Sequence, residues 1–187
     1  LELALREQLG AVAFAGARAA GRDLSIDQLL SLPVSPTADA SAPPGHSLPE
    51  PITPCIGREA EMAALAELLH KPEVRLVTLV GVGGMGKTRL AQELGRASIS
   101  AFADGVFFAP LAPISTPAAL VGAIATALGV ALQGRDPLRA LLQMLRQKQL
   151  LLILDNFEHL LVERTDAVDL VAELIGAAPG VRLLVTS

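Results

Sequence analysis

The sequence has little of several features that define whole classes of protein. Its 187 residues include one cysteine, no tryptophan, no tyrosine and five phenylalanines. The single Cys55 excludes an intrachain disulfide. Because aromatic residues are scarce, leucine, valine, isoleucine and alanine must supply most of the core. Cys55 and the three histidines (His46, His70 and His159) do not have the spacing of a metal site.

The sequence also has no large excess of positive or negative charge and no long apolar run. The net charge is −4 with acids and bases interspersed, so no basic stripe is available to neutralise nucleic-acid phosphates. The apolar runs are well short of the ~18 residues that a membrane span needs, and the mixed charges of "LELALREQLG" do not suit a signal peptide. We therefore expect a cytoplasmic chain without direct nucleic-acid or membrane contact. Because it starts at Leu1 and ends on "VRLLVTS", we expect it to be part of a longer protein.

Three regions follow one another along the chain. Residues 1–31 have alanine and leucine at helical spacing, which predicts a short helical segment that could form the end of a preceding helical domain. Residues 32–51 are rich in proline, alanine and serine and predict a linker. Residues 52–187 alternate apolar strands with amphipathic helices. This alternation predicts an α/β domain whose parallel sheet is covered on both faces.

The stretch "LVGVGGMGKT" fits two phosphate-binding patterns at once. Gly81, Gly83 and Gly86 match G-x-G-x-x-G, and Gly81, Gly86, Lys87 and Thr88 match G-x-x-x-x-G-K-[ST], the Walker A loop. A dinucleotide fold also needs an acidic residue at the end of the second strand, roughly 20 residues further on. Here that strand ends "FFAPLA", and Asp104 lies before it. The Walker A interpretation is therefore favoured.

Each part of a Walker A loop has a physical role. Successive backbone N–H groups, here of Gly83, Gly84, Gly86 and Lys87, can surround phosphate oxygens, and the following helix adds its positive end. The Lys87 ammonium would neutralise the β- and γ-phosphates, and the Thr88 hydroxyl would bind Mg²⁺. "LLILDN" adds a strand ending in Asp155, which would hold the same metal through water. We therefore predict ATP or ADP with Mg²⁺ as the ligand.

The residue after Asp155 bears on hydrolysis. It is Asn156, whose amide can orient a water molecule but cannot take its proton at neutral pH. Glu158 lies close enough in sequence to reach that water instead, or to begin the next helix. We therefore name Asp155, Asn156 and Glu158 as candidate catalytic residues. His159 is expected to be a helix-start histidine without chemistry.

Several motifs together resemble one family. "CIGREAEMAAL" is similar to the hhGRE motif of the STAND NTPases, which include NB-ARC proteins and ATPase regulators of the bacterial LuxR family. The Walker A segment, "GVFFAPLAPI", "LLLILDNFEHLL" and "PGVRLLVTS" resemble that family in the same order. The resemblance implies a P-loop NTPase three-layer sandwich. It also implies the strand order of Walker A strand, "VRLLVTS", Walker B strand and "GVFFAPLA", with a fifth strand missing from this chain.

The resemblance also implies site residues and partners. Ile56, Gly57 and Arg58 would pack against adenine and ribose, and Thr186 would lie near the γ-phosphate. With the loop, the predicted nucleotide-binding residues are Ile56, Gly57, Arg58, Gly81, Gly83, Gly84, Met85, Gly86, Lys87, Thr88, Arg89 and Thr186. The expected partners are further domains of the same chain, namely a helical lid, a winged helix and helical repeats, together with nucleotide-driven self-association.

Three functions are compatible with these residues. The first is slow ATP hydrolysis that works as a switch in a multidomain signalling or transcriptional regulator. The second is a metabolic P-loop kinase, but the arginines between Lys87 and Asp155 form no recognisable lid motif. The third is a nucleotide-binding scaffold that has lost hydrolysis, which Asn156 keeps open.

Overall fold

The computed structural model of the chain describes residues 45–50, 57–132, 134–163 and 166–187. All of these belong to one compact unit, residues 42–187. The predicted helical segment 1–31, most of the predicted linker 32–51, and Cys55 and Ile56 lie outside the described residues. The predicted division into three regions therefore stays a prediction.

A four-stranded parallel sheet forms the centre of the domain. Its strands are β1 (Leu76–Leu79), β2 (Val106–Pro110), β3 (Leu151–Asp155) and β4 (Arg182–Thr186). The spatial order is β1-β4-β3-β2, so the two strands that end in the candidate site residues Asp155 and Thr186 lie side by side in the middle. This is the predicted parallel α/β fold, and its strand order is confirmed.

Six α-helices connect and flank the strands in the described parts of the chain. They are α1 (Glu59–His70), α2 (Lys87–Ala97), α3 (Pro117–Ala127), α4 (Pro137–Leu145), α5 (Glu158–Glu163) and α6 (Asp166–Ala177). None of the helices in the described ranges is long and apolar enough to cross a membrane.

The helices form a layer on each face of the sheet. The alternation of side chains along β3 shows this directly, because all five of its residues are buried and successive ones face opposite layers. Leu152 and Leu154 belong to the core cluster with α3, α4 and α6, whereas Leu151 and Ile153 belong to the cluster with α1 and α2. The result is a three-layer sandwich in which helices on both faces cover a continuous apolar sheet.

Local side-chain and backbone hydrogen bonds define several helix ends. The Thr116 and Asp136 side chains accept hydrogen bonds from the N–H groups of Ala119 and Arg139, as N-caps that precede a first-turn proline. Helix α2 ends at Ala97. The Ser98 N–H is shared between two carbonyls there, and the backbone tightens into a 3₁₀ turn at Ile99–Ala101.

Residues 45–50, which composition assigned to the linker, lie against the domain and are called the strap below. The Val106 N–H donates to the Gly45 carbonyl (3.1 Å), and the Ser47 N–H donates to the Val106 carbonyl (3.2 Å). The Ser47 hydroxyl also accepts from the Phe108 N–H at 2.9 Å. Leu48 is buried in the core cluster with α2. The strap thus runs parallel to β2 along its outer edge.

Candidate functional site

The loop between β1 and α2 crosses the carboxyl end of the sheet. Gly84 and Gly86 have φ values of +81° and +82°, a left-handed backbone that residues with a Cβ adopt only at a cost. Gly86 immediately precedes α2 and provides no side-chain cap, so α2 begins without one. Its first N–H groups and dipole therefore face the concave side of the loop, which is the arrangement that binds phosphate.

A cavity of about 570 Å³ opens at this loop. The loop contributes Gly83, Gly84, Gly86, Lys87 and Thr88 to its lining, and the segment after β3 contributes Asn156 and Glu158. The Lys87 ammonium lies at the loop, where it donates to the carbonyls of Gly81 (2.6 Å) and Val82 (3.2 Å). The sheet therefore brings the two predicted motifs, which are nearly 70 positions apart in sequence, to one cavity.

Asp155 is held by its neighbour in the sheet. It is 8% exposed, and the Thr186 hydroxyl donates to its Oδ1 at 2.8 Å. The same hydroxyl accepts a 2.9 Å hydrogen bond from the Asn156 N–H, and the Thr186 carbonyl accepts from the Phe157 N–H. Thr186 is 1% exposed. Its hydroxyl is therefore committed to orienting the end of β3.

The chain turns sharply directly after Asp155. Asn156 has a φ of +64° and is the one non-glycine residue with positive φ in the described parts of the chain. Asparagine tolerates this conformation better than most residues, but strained backbone persists mainly where the surroundings enforce it. The turn exposes Asn156 at the cavity and starts α5 at Glu158. His159 lies in α5 with its Nε2 2.6 Å from the Ile114 carbonyl oxygen.

A second, smaller cavity of about 260 Å³ lies on the other side of the loop. It is lined by Arg58, Met85, Leu90 and the end of β1. The Arg58 guanidinium donates to the Met85 carbonyl at 3.0 Å and pairs with Glu61 at 3.3 Å. Of the predicted residues here, Arg58 contacts the loop, Gly57 directly precedes Arg58 in the chain, and Ile56 lies outside the described residues.

The start of α1 is arranged around Gly57 and Glu59. Gly57 has a φ of +77°, and its N–H donates to the Glu59 carboxylate at 3.1 Å. A hydrogen bond from the backbone N–H of Glu59 itself and the one from the Gly57 N–H lower the pKa of Glu59. The arrangement keeps the carboxylate charged at the helix start, where the dipole favours negative charge.

The oxygen atoms at the site suit a magnesium ion. Mg²⁺ prefers hard oxygen ligands and usually keeps several waters. Thr88 supplies a hydroxyl at the cavity, and Asp155 supplies a carboxylate that Thr186 orients. The described residues contain no group of three His, Cys, Asp or Glu side chains that could hold a metal ion.

Together the parallel sheet, the glycine loop and the aspartate at the end of the adjoining strand pair define a P-loop NTPase domain. Residues 73–180, more than half of the chain, match the family model described as "AAA domain". The chain belongs to the AAA domain family.

Two groups of curated mycobacterial proteins are similar to the chain. Proteins of Mycobacterium tuberculosis and Mycobacterium bovis named "Putative HTH-type transcriptional regulator" are 44% identical over 115 residues, which is 60% of this chain and 12% of theirs. Uncharacterized proteins of the same species are 33% identical over 143 residues, 76% of this chain and 35% of theirs. The chain therefore spans only a small part of the length of these relatives.

A solved structure supports the fold. A chain in a structure of Drosophila ORC bound to DNA superposes with a TM-score of 0.55 at 20% identity, covering 74% of this chain and 38% of that chain. This likeness concerns the fold alone.

The structure adds four cavity residues that sequence reasoning missed, namely Gln92 and Glu93 in α2 and two residues of the strap. Pro49 and Glu50, at the end of the strap, line the same 570 Å³ cavity as the phosphate loop. They fall in a proline-rich stretch with no apolar period, so the only local signal was Leu48, a single apolar residue among polar ones. Their position depends on contacts with β2 and α2, which are distant in sequence.

Proposed function

We propose that this domain binds ATP and ADP with Mg²⁺ and hydrolyses ATP slowly, as the nucleotide-dependent switch of a multidomain regulator. The observation that carries the proposal is the single cavity shared by the Walker A residues Lys87 and Thr88 and by Asn156, which follows the Walker B aspartate. Binding and slow chemistry are both expected at such a cavity. The AAA domain family and the named regulators among the relatives support the context.

The chain's own residues would share the work as follows. Backbone N–H groups of the loop and of the start of α2 bind the β-phosphate, and Lys87 neutralises charge on the β- and γ-phosphates. Thr88 and, through water, Asp155 would hold Mg²⁺, which supplies further neutralisation of the phosphate oxygens when bound. Asn156 orients the attacking water, and Glu158 is the carboxylate that lines the same cavity. Arg58 and the segment before it border the nucleoside.

Slow turnover follows from the residue types at the end of β3. Asn156 has an amide where many P-loop ATPases have a carboxylate, and an amide cannot accept the water's proton. A long-lived triphosphate state suits a switch, because the two nucleotides then stabilise different conformations through contacts to the γ-phosphate. The STAND and NB-ARC assignment, the helical and winged-helix partner domains, self-association and a cytoplasmic location are part of this proposal.

Two measurements test it. On the full-length protein, Mg-ATP and Mg-ADP should raise the melting temperature, and Lys87→Ala should remove most of this effect, because nucleotide stabilises only a form that binds it. Single-turnover hydrolysis should be far slower than one per second. A Lys87→Ala variant with full stabilisation would show that the site is assigned wrongly, and many turnovers per second would overturn the switch. Complete absence of hydrolysis with intact binding would favour the scaffold, which Asn156 also permits.

A further inference from the structure

The strap positions an acidic side chain at the phosphate cavity. Three carboxylates line this cavity, those of Glu50, Glu93 and Glu158. Glu93 pairs with Arg96 at 3.4 Å and with Arg89 at 3.9 Å. Among the described residues, Glu50 has no such cationic partner and is exposed. Glu50 therefore adds to the cavity a carboxylate that no described cation pairs with.

The strap, which ends at Glu50, packs closely against two glycines of the domain. A Cβ on Gly95 in α2 would come 3.2 Å from Leu48 Cδ2, and a Cβ on Gly105 would come 1.9 Å from the Gly45 carbonyl oxygen. The Arg96 guanidinium donates to the Pro49 carbonyl at the end of the strap. The strap is thus fixed along its length by β2 and α2, and it ends at the cavity.

We propose that Glu50 is a specificity residue that lowers the affinity of this cavity for the triphosphate relative to the diphosphate. The inference rests on the proposed nucleotide site. Glu50 lines the same cavity as the loop glycines, Asn156 and Glu158. A third phosphate would add negative charge to this cavity. Like charges in one cavity repel, so ATP is disfavoured more than ADP. The docked strap therefore favours the diphosphate state.

Strap docking and the relative affinity for ATP and ADP must then affect each other. If the docked strap weakens ATP binding, ATP must weaken strap docking by the same factor. The position of the strap would then depend on which nucleotide is bound.

The test compares dissociation constants of Mg-ADP and of a non-hydrolysable Mg-ATP analogue by calorimetry on the full chain. Glu50→Gln should tighten the triphosphate roughly three- to tenfold and the diphosphate by clearly less, the size expected for charges near a protein surface. Glu73→Gln is the matched control, because Glu73 is exposed in the turn before β1, at the opposite end of that strand from the loop. It removes the same net charge and should leave both constants unchanged.

Two further variants distinguish the effect of strap docking from the effect of the Glu50 charge. Leu48→Ser should release the strap and shift the ratio in the same direction as Glu50→Gln, and adding Glu50→Gln to it should change little more. If Leu48→Ser does not fold, Ser47→Ala removes only the hydrogen bond to the Phe108 N–H and should give a smaller shift in that direction. An unchanged ratio in Glu50→Gln overturns the inference while leaving nucleotide binding intact. Loss of all binding in the unmodified chain would instead overturn the proposed function.

Discussion

The hydroxyl of Thr186 donates a 2.8 Å hydrogen bond to the carboxylate of Asp155, across the two central strands of the sheet. The same oxygen accepts from the N–H of Asn156, the residue with the left-handed backbone. One buried hydroxyl therefore fixes both the orientation of the Walker B carboxylate and the turn that follows it. Thr186 contacts Asp155 in the structure, and its expected position near the γ-phosphate stays a prediction.

Replacing Thr186 with valine should test this arrangement. Valine keeps the shape of the side chain but removes the hydrogen-bond partner of the Asn156 N–H and of one Asp155 oxygen. The free energy of unfolding should therefore fall by about 1–3 kcal/mol. Thr186→Ser keeps the hydroxyl and should recover most of the loss. Urea denaturation measures the stability, and magnesium-dependent nucleotide binding measures the effect on Asp155. Equal stability of the valine and serine variants would contradict the assigned role.

Gly95 is predicted to be intolerant of even one methyl group. A Cβ there would lie 2.7 Å from Ile153 Cδ1, inside the core between α2 and β3. Overpacking of this kind costs about 1–3 kcal/mol and should outweigh the better helix propensity of alanine. Gly122→Ala in α3 is the matched control, because a Cβ at Gly122 has nothing within 4 Å. It should stabilise the domain by up to about 1 kcal/mol, and a similar gain at Gly95 would contradict the packing.

The features that sequence predicted well are those encoded by neighbouring residues. The glycine loop, Lys87 and Thr88 are contiguous, and Asp155 ends a strand whose five residues are all apolar or buried. The parallel strand order was implied by the family resemblance.

The strap could not be predicted in the same way. Its stretch has the composition of a linker, and its position depends on hydrogen bonds to Val106 and Phe108 and on space left by Gly95 and Gly105. The hydrogen bond between Thr186 and Asp155 could not be predicted from the sequence either. Sequence placed both residues at strand ends, but only the strand register decides which atoms meet.

Asp104 lies at the end of the sheet opposite the loop, and it should make the stability of the domain depend on pH. Burial raises its pKa, but hydrogen bonds from the Gln149 N–H and the Lys148 ammonium, both 2.7 Å long, outweigh this and leave the pKa below its ordinary value of 3.8. A lowered folded-state pKa stabilises the fold above the unfolded-state pKa and loses that effect as pH falls through the folded-state value.

Asp104→Asn should therefore lower stability at pH 7 by about 1 kcal/mol, since the pair is partly exposed and screened. The difference in stability between this variant and the unmodified chain should disappear as pH falls below 3.8. Denaturation midpoints at pH 7, 5 and 3 measure it. Asp136 caps α4 and Asp169 lies in the first turn of α6, so neither is a suitable control. The exposed Glu73, in the turn before β1, serves instead through Glu73→Gln. A difference that is constant across pH would show that charge at Asp104 is unimportant.

Asn156→Asp should increase the rate of ATP hydrolysis by at least about tenfold, because a carboxylate at this position can accept the proton of the attacking water and general-base catalysis commonly contributes 10²–10⁴-fold. Aspartate also tolerates the φ of +64° that the turn requires. Asn156→Gly, which accepts the same backbone without any side chain, separates chemistry from turn geometry and should slow hydrolysis while preserving nucleotide affinity. Single-turnover rates of the full-length protein distinguish the three forms. If aspartate and glycine are equally slow, Asn156 does not limit turnover, and the rate must instead depend on Glu158 or on residues outside this domain.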